Sequence, residues 1–299
     1  MPRRIALKVD VDTLRGTREG VPALLRLFEQ HNVKATFLFS LGRDNTGRAI
    51  RRIFRPGFLS KIKRTSVASH YGLKTLLYGT LIPGPDIARH TGDIMRSVRT
   101  HGHQVGIHCY DHIRWQDHVA QKDFAWTKRE MELAIQAFES VFSDRALVIG
   151  AAGWQLNAHV LALEEHFGFQ YASDLRGDLA FYPMMDGIRS ACPQLPTTLP
   201  TLDELIGENN ITADNVHQTV FDSSRRPLIH GHVYTLHAEL EGMQLLPVMD
   251  RLLTMWKAAG DDVGTMQDNY LALDLAQLEY RSITWGTVAG RSGLLATVG

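Results

Sequence analysis

Residues 4–13, RIALKVDVDT, decide the fold of this chain. Arg4–Val11 form a largely apolar run that predicts a buried strand, and the run ends in two aspartates, Asp10 and Asp12. Residues i and i+2 of a strand point to the same face, so the two carboxylates lie side by side. Carboxylates this close repel each other unless a cation or a proton separates them. The segment therefore predicts a strand that ends at a functional edge, with one buried carboxylate beside a helix cap as the alternative.

The remainder of the chain alternates predicted strands and helices. Hydrophobic periodicity predicts strands over residues 33–40, 103–108, 147–151, 169–173, 227–234 and 263–266. It predicts helices over residues 21–30, 87–101, 123–142, 158–167 and 245–259. This alternation is typical of parallel sheets, so we predict an α/β fold, a barrel, formed by one domain over residues 1–299. Residues 282–299 have weak periodicity and are expected to form a tail or a cover.

The composition is that of an ordinary globular protein. The 299 residues are 44% hydrophobic and 21% charged, and 32 basic side chains balance 32 acidic ones. A net charge of zero argues against a general nucleic-acid-binding protein. Two cysteines are too few for a disulfide framework and indicate a reducing, cytosolic compartment. The first residues lack the apolar core of a signal peptide, and no uncharged apolar run is long enough to predict a membrane-spanning helix.

Residues 45–85, called the basic insertion below, interrupt the alternation and carry an uneven charge. They contain eight Lys or Arg and no Asp or Glu, so the insertion carries +8 and the remainder −8. Apolar side chains at helical spacing on both sides of Pro56-Gly57 predict two short amphipathic helices, which favour a membrane surface of anionic lipid. A solvated basic face over a core helix and an RNA-binding patch are the alternatives. The residues expected to contact the membrane are Arg48, Arg51, Arg52, Phe54, Arg55, Phe58, Lys61, Lys63 and Arg64.

A second polar group, His108-Cys-Tyr-Asp-His112, directly follows a predicted strand. Histidines at i and i+4 lie on one side of a helical turn and can bind one metal ion. Together with Asp12 from another strand end they give two histidines and one carboxylate, which leaves positions open for water. The sequence thus predicts a site for a divalent metal, with zinc expected first and manganese or cobalt as alternatives. An HxxxH pair also arises by chance in a chain with 14 histidines.

A third polar group follows the predicted strand over residues 227–234. His237 lies there in the sequence LHAE, where the strand would deliver it to the same edge of the barrel. Its ordinary pKa near neutrality suits a general acid. His230 and His232 fall within the predicted strand, and we expect them to be core or supporting residues.

Together these motifs resemble the polysaccharide (NodB-type) deacetylases, although that family usually has adjacent aspartates in its first strand. The resemblance narrows to one subgroup, the 4-deoxy-4-formamido-L-arabinose-phosphoundecaprenol deformylases, through blocks such as DVDTLRGTREGVP and YTLHAELEG between Lys8 and about Ala289. It implies a distorted (β/α) barrel and a divalent metal. It also implies removal of a formyl group from an amino sugar on undecaprenyl phosphate at the cytoplasmic face of the inner membrane, for lipid A modification and polymyxin resistance.

The resemblance also implies roles for individual residues. Asp10 matches the catalytic base and His237 the catalytic acid, while Asp12, His108 and His112 match the metal ligands.

Other residues are candidates for contacts with the substrate. Arg15 and Arg18 follow the first strand and suit a phosphate group, with a surface pair to Glu19 as the alternative. We expect Trp154 to form a wall of the acyl pocket, although a large aromatic residue is often simply core. Asp174 is expected to orient the catalytic acid, and a helix or turn cap is the alternative.

One position departs from the family pattern. In the wider family an arginine near the block that AAGWQ resembles orients the base, whereas this chain has Gln155. The amide cannot supply that charge, so we expect Arg176 to replace it, unless the sugar differs. A different sugar would make the chain an N-deacetylase of polyprenyl-phosphate N-acetylhexosamine. Two further alternatives are independent of this position: an enzyme acting on a soluble glycan, and a membrane- or RNA-binding module with an inactive barrel.

Overall fold

The computed structural model describes residues 2–49 and 75–299. The predicted amphipathic helices of the basic insertion lie outside these residues, and Arg48 is the one expected membrane residue that lies within them. Within the described ranges, no helix is long and apolar enough to cross a membrane.

The strands of the described residues have the following bounds: β1 (Arg4–Val11), β2 (Thr36–Ser40), β3 (Gln104–Cys109), β4 (Val148–Ile149), β5 (Tyr171–Ala172), β6 (Tyr182–Met185), β7 (Ile188–Arg189), β8 (His232–His237), β9 (Asp262–Gly264), β10 (Tyr280–Gly286) and β11 (Leu295–Val298). The α-helices are α1 (Val21–Gln30), α2 (Ile87–Thr100), α3 (His112–His118), α4 (Phe124–Phe142), α5 (Ala158–Phe167), α6 (Leu202–Leu205), α7 (Val216–Ser223), α8 (Leu246–Ala258) and α9 (Met266–Leu271). A π-helical turn, Gly16–Gly20, links β1 to α1.

The main sheet is parallel and confirms the predicted α/β class. Its strands follow the order β5-β4-β3-β2-β1-β8, and β9 pairs with the first half of β1. β1 lies between β2 and β8 and is buried along nearly its whole length, as its apolar run predicts. A second, four-stranded sheet has the order β11-β10-β6-β7. Residues 282–299 were expected to form a tail or a cover; they supply most of β10 and all of β11, so the expectation of a tail is wrong for these residues.

The irregular segment 193–200, PQLPTTLP, joins the two edges of the main sheet. At one edge the N–H of Leu195 donates to the carbonyl of Ala172 in β5 at 2.8 Å. At the other edge the N–H of Thr198 donates to the carbonyl of Val233 in β8 at 3.1 Å. Proline has no N–H to donate, so a segment with three prolines cannot form a regular ladder on either side. The barrel is therefore closed by isolated hydrogen bonds, and this distorts it.

The strand predicted over residues 227–234 begins and ends later in the structure. Pro227 precedes a turn in which the N–H of Gly231 donates to the carbonyl of Leu228 at 3.2 Å, and Gly231 has a φ of +77°. A left-handed residue ends one extended segment before the next begins. β8 therefore starts at His232 and runs to His237, so the histidine predicted to follow the strand is its last residue.

Candidate active site

Three strands of the main sheet carry polar side chains to the same edge. Asp10 near the end of β1 lies opposite His237 of β8 in the register of the two strands. His108 lies near the end of β3, which is separated from β1 by β2. The carboxyl ends of parallel strands build the active sites of barrel enzymes, so this edge is the candidate active site.

The structure brings together the three residues of the predicted metal site. Asp12 Oδ1 lies 3.3 Å from Nε2 of His108, and Asp12 Oδ2 lies 3.4 Å from Nε2 of His112. One ligand atom from each residue lies within 4.8 Å of the other two. Asp12 is buried, and its Oδ1 has no hydrogen-bond partner among the described residues. A buried carboxylate oxygen that faces imidazole nitrogens without a hydrogen bond fits the donor set of a divalent cation.

The imidazole of His108 is oriented by the backbone. Its Nδ1 donates to the carbonyl oxygen of Gly150 at 2.7 Å, so the lone pair of Nε2 points towards Asp12. Metal-binding histidines commonly donate their second N–H in this way. A Cβ at position 150 would lie 2.6 Å from a methyl group of Leu38 and 3.0 Å from the carbonyl oxygen of Ser173. Only glycine therefore allows this peptide to approach the imidazole.

The HxxxH pair spans a strand end and a helix start. His108 belongs to β3 and His112 is the first residue of α3, so the predicted helical turn is wrong. Asp111 caps α3, because its Oδ1 accepts from the N–H of Arg114 at 3.0 Å. Its Oδ2 accepts from Nδ2 of Asn45 at 2.6 Å, which ties the first residue of the basic insertion to the helix that carries His112.

The charges of this cluster shift the pKa values of its members. Burial alone would raise the pKa of Asp12, but His112 and His108 hold it well below its usual range. Burial lowers the pKa of His108, but the charges of Asp10 and Asp12 outweigh that effect and the net shift is upward. The cluster thus stabilises positive charge, and a divalent cation would displace the protons that it holds.

Glu239 fixes the backbone after β1, a role that sequence reasoning missed. Its Oε1 accepts from the N–H of Asp12 at 3.1 Å and from the N–H and hydroxyl of Thr13 at 2.9 and 2.8 Å. Burial and the charge of Asp12 raise the pKa of the Glu239 carboxyl well above its usual value. The signal in the sequence was its place two residues after His237, inside the block YTLHAELEG.

Two glycines allow the blocks DVDTLRGTREGVP and YTLHAELEG to pack against each other. A Cβ at Gly20 would lie 2.0 Å from the carbonyl oxygen of Ala238, and one at Gly16 would lie 1.9 Å from Oε1 of Glu239. The turn that contains both glycines therefore packs directly on the segment after β8. This contact holds the ends of β1 and β8 together, and with them Asp10 and His237.

His237 lies half-buried at the candidate site. Its backbone N–H donates to Oε2 of Glu241 at 2.9 Å, and Oε1 of Glu241 accepts from the hydroxyl of Tyr234 at 3.1 Å. Burial raises the pKa of Glu241 to about 7 against the opposing charge of His237. Nδ1 of His237 is buried and has no hydrogen-bond partner among the described residues. Glu241 therefore fixes the backbone of His237 and does not bond to its imidazole ring in the described residues.

Asp174 does not reach the predicted acid, in contrast to its predicted role. Both carboxylate oxygens are engaged elsewhere: Oδ1 accepts from the N–H of Ala151 and Oδ2 from Nε2 of Gln194, each at 2.6 Å. Ala151 belongs to the peptide whose carbonyl, that of Gly150, accepts from His108. One peptide unit thus lies between Asp174 and the imidazole, so Asp174 supports His108.

Arg176 does not lie beside the predicted base, again in contrast to the prediction. Its guanidinium donates to Oε1 of Glu204 at 2.6 Å. The side-chain amide of Gln155 donates to the carbonyl of Leu294 at 2.7 Å. Both side chains are therefore used to hold the second sheet and its neighbouring loops against the barrel.

The cation beside Asp10 is Lys8. Its Nζ lies 3.4 Å from Oδ2 of Asp10 and donates to the carbonyl oxygen of Ser173 at 3.0 Å. Lys8 is 0% exposed, which is rare for a lysine. Alternate positions of β1 share one face, so the signal in the sequence was the spacing Lys8, Asp10, Asp12.

Trp154 is buried near this lysine. Its Nε1 donates to the hydroxyl of Thr197 at 3.2 Å, and the guanidiniums of Arg176 and Arg291 lie 5.1 and 4.7 Å from the centre of its ring. Lys8 Nζ lies 5.9 Å from the same ring. Its role as a wall of the acyl pocket stays a prediction.

The two arginines after β1 differ in their surroundings. Arg15 is half-buried, and its Nε donates to Oε2 of Glu19 at 3.0 Å, which is the surface pair considered as the alternative. Arg18 is exposed. Their contact with a phosphate group stays a prediction.

Comparisons with known proteins identify the family of this chain. A family model described as polysaccharide deacetylase matches residues 2–172. A probable 4-deoxy-4-formamido-L-arabinose-phosphoundecaprenol deformylase ArnD from Shewanella sediminis is 37% identical over 254 residues, which cover 85% of this chain and 81% of that protein. A protein of the same name from Wigglesworthia glossinidia brevipalpis is 29% identical over 282 residues, with coverage of 94% and 97%.

A solved structure shows the same fold. A Mycobacterium smegmatis protein assigned to the polysaccharide deacetylases superposes with a TM-score of 0.62 at 18% sequence identity. The superposition covers 95% of this chain and 94% of that one. The predicted distorted barrel is therefore confirmed.

Proposed function

The chain belongs to the polysaccharide deacetylase family and, within it, to the ArnD deformylases, and we propose that it removes the formyl group from 4-deoxy-4-formamido-L-arabinose linked to undecaprenyl phosphate. The reaction is the hydrolysis of a linear amide C–N bond, which yields formate and a free amine. The observation that carries the proposal is the cluster of Asp12, His108 and His112 beside Asp10 and His237 at one edge of the sheet. The proposal assigns the enzyme to lipid A modification, the process that confers polymyxin resistance.

Asp12, His108 and His112 would hold a divalent metal ion. One carboxylate and two imidazoles suit zinc, and manganese or cobalt are the alternatives. When bound, the ion supplies Lewis-acid chemistry to the acyl carbonyl oxygen and to water.

Asp10 is the proposed general base. Its Oδ1 is buried and has no hydrogen-bond partner among the described residues, while Oδ2 faces the ammonium of Lys8. Oδ1 is thus free to take a proton from the water that attacks the formyl carbon. An Asp10→Asn variant should lose turnover and retain metal, whereas loss of the metal would exchange the roles of Asp10 and Asp12.

His237 is the proposed general acid. It protonates the sugar nitrogen as the C–N bond breaks, so the amine leaves as a neutral group. Because Asp10 and His237 lie opposite each other on neighbouring strands, base and acid can act on the same acyl carbon and nitrogen. Replacement of His237 by alanine should lower kcat roughly 10²-fold or more.

Arg15 and Arg18 are proposed to bind the phosphodiester of the substrate, and Trp154 to border the acyl group. The turn Gly16–Gly20 packs beside His237, so both arginines lie close to the edge where the sugar would bind. An unchanged KM for the lipid-linked substrate in an Arg15→Ala variant would contradict the phosphate role.

The basic insertion is proposed to rest on anionic lipid at the cytoplasmic face of the inner membrane, as a peripheral contact within one catalytic domain. Its charge of +8 and its apolar spacing come from residues that are mostly outside the described ranges. Its described end supports the proposal, because Leu77, Leu81 and Ile82 are 37, 82 and 40% exposed. Asn45 ties the insertion to the helix of His112, so a membrane bound there would lie next to the active site.

Co-sedimentation with vesicles of phosphatidylglycerol tests this contact. A triple variant of Arg51, Arg52 and Arg55 to alanine should lose binding, and the loss should resemble the effect of high salt. A matched variant with alanine at three exposed arginines elsewhere, Arg26, Arg89 and Arg251, should sediment like the wild type. Equal sedimentation of the two variants would contradict the membrane role.

Mass spectrometry of undecaprenyl-phosphate sugars after incubation with the enzyme tests the reaction. Replacement of a formyl group by hydrogen removes CO, whereas replacement of an acetyl group removes C2H2O. Loss of CO from the formamido-arabinose lipid supports the proposal. Loss of C2H2O from an N-acetylhexosamine lipid would instead identify the deacetylase considered in the sequence analysis, and Asp10→Asn is the inactive control for both substrates.

A further inference from the structure

We propose that Lys8 is the positioning residue of the reaction: its buried ammonium holds Asp10 in place through Oδ2 and leaves Oδ1 free to act as the base. The inference rests on the proposed function, in which Asp10 is the base. It replaces the expectation that an arginine supplies this charge.

The burial of Lys8 needs a local explanation. Lysines are almost never fully buried unless they are paired, because an ammonium loses its hydration in the protein interior. Nζ lies within 4.0 Å of one carboxylate among the described residues, that of Asp10, at 3.4 Å. In the same part of the chain, its ammonium donates to the carbonyl of Ser173 at 3.0 Å. The charge of Lys8 is therefore balanced by the same carboxylate that the mechanism uses.

The lysine also distinguishes the two oxygens of Asp10. Oδ2 faces the ammonium, whereas Oδ1 lies 3.8 Å from Nδ1 of His108 and accepts no hydrogen bond among the described residues. Oδ1 therefore lies beside the imidazole of His108, one of the three residues of the predicted metal site. A free rotation of the carboxylate would lose the attraction between Oδ2 and the ammonium, so Lys8 keeps Oδ1 as the oxygen without a partner, the one that can accept a proton.

The surroundings leave little freedom to Lys8 itself. A Cβ at Gly150 would lie 3.1 Å from Cε of Lys8, so the absence of a side chain at position 150 makes room for the lysine stem. The other candidate cation, Arg176, is engaged by Glu204. Among the described residues Lys8 is thus the cation placed to orient the base.

Two substitutions separate the charge of Lys8 from its hydrogen bond. Lys8→Gln can still donate to the carbonyl of Ser173 but has no charge, whereas Lys8→Arg keeps the charge. We expect Lys8→Gln to lower kcat roughly 10²-fold with KM within about twofold, and Lys8→Arg to recover kcat to within about tenfold of the wild type. Both variants should retain one equivalent of zinc by elemental analysis. Lys34→Met, at an exposed lysine that donates to the carbonyl of His101, is the matched control and should have wild-type kinetics.

Wild-type kcat in Lys8→Gln, or an equal loss of kcat in the Gln and Arg variants, would overturn the inference. A second measurement does not depend on turnover. Lys8→Gln and Asp10→Asn should each lower the Tm, and the double variant should recover part of the loss because neither charge is then left alone. Additive losses would also overturn the pairing. The two proposals can fail separately. If the double variant recovers part of the Tm loss but the wild-type enzyme releases no formate, the pairing is supported and the proposed function is contradicted.

Discussion

Replacement of Asp174 by alanine tests whether this carboxylate serves the metal site or the catalytic acid. Asp174 is fully buried, and it accepts from the N–H of Ala151 and from Nε2 of Gln194. The first of these bonds holds the peptide whose carbonyl orients His108. The substitution removes the acceptor and leaves the peptide free to turn away from the imidazole.

The size of the effect follows from the two hydrogen bonds that are lost, since Nε2 of Gln194 keeps only a longer bond, to Oε2 of Glu164 at 3.3 Å. Two buried donors lose their acceptor, and each costs about 1–3 kcal/mol. Glu164 opposes part of this loss, because burial and the charge of Asp174 raise its pKa well above the usual value and removal of that charge relieves the repulsion. We therefore expect a loss of about 2–4 kcal/mol in the free energy of unfolding. The affinity for zinc should fall roughly 10- to 100-fold, as for other residues that orient a metal-binding histidine.

Urea unfolding and competition with a chromophoric zinc chelator measure the two quantities. Asp178→Ala is the control, because Asp178 is an exposed aspartate whose ion pair among the described residues is with Arg226, and such a surface pair contributes about 0–1 kcal/mol. Wild-type zinc affinity together with a lower kcat would refute the reasoning. It would show that Asp174 acts on the acid, as the sequence analysis expected.

Three further predictions follow from other parts of the molecule. Gly20→Ala should lower the Tm and the yield of folded protein in circular dichroism, because the new Cβ would lie 2.0 Å from the carbonyl oxygen of Ala238. Gly92→Ala should be tolerated, because its Cβ would lie 3.3 Å from the flexible end of Arg96 and 3.8 Å from the methyl groups of Val141. Dialysis against a chelator should abolish formate release and lower the Tm, and added zinc should restore both; full activity at zero metal content would contradict the site. Burial lowers the pKa of His103 to about 4 from its usual 6.5, so between these pH values the unfolded chain binds a proton that the folded chain does not. The free energy of unfolding should fall as the pH decreases from about 6.5 to 4, by at most about 1.4 kcal/mol per pH unit for this group, and urea titrations of His103→Gln should show a shallower slope.

Local patterns predicted the strands and helices of the main barrel well. β1 and α5 have the expected bounds, because apolar periodicity over ten residues depends little on the remainder of the chain. The closure of the barrel by residues 193–200 could not be predicted, since its hydrogen bonds join Leu195 and Thr198 to two strands at opposite edges of the sheet. The late start of β8 depends on a left-handed Gly231, whose conformation no apolar pattern reveals.

Residue types predicted the cluster of the candidate site, whereas the supporting residues depended on burial. Asp12, His108 and His112 were recognisable because their chemistry and positions at strand ends coincide. The sequence favoured Arg176 as the cation beside Asp10, whereas the structure has Lys8 there. The role of Lys8 becomes evident only when its burial is known. Asp174 was expected to orient His237 rather than His108 for a similar reason. Its link to His108 runs through the peptide between Gly150 and Ala151, and the sequence does not reveal such a backbone-mediated contact.

The pairing of β1 with β8 has a consequence for the synthesis of the protein. Asp12 and Glu239, which are joined by a hydrogen bond, lie 227 residues apart in the chain. At about 5–20 residues per second, β1 waits on the order of 10–45 s on the ribosome before β8 is made. During this time one edge of an apolar strand is unpaired, and Lys8, Asp10 and Asp12 are the charged residues that discourage it from pairing with other nascent chains. The charged residues of the proposed catalytic centre would thus protect the nascent chain from aggregation before that centre has folded.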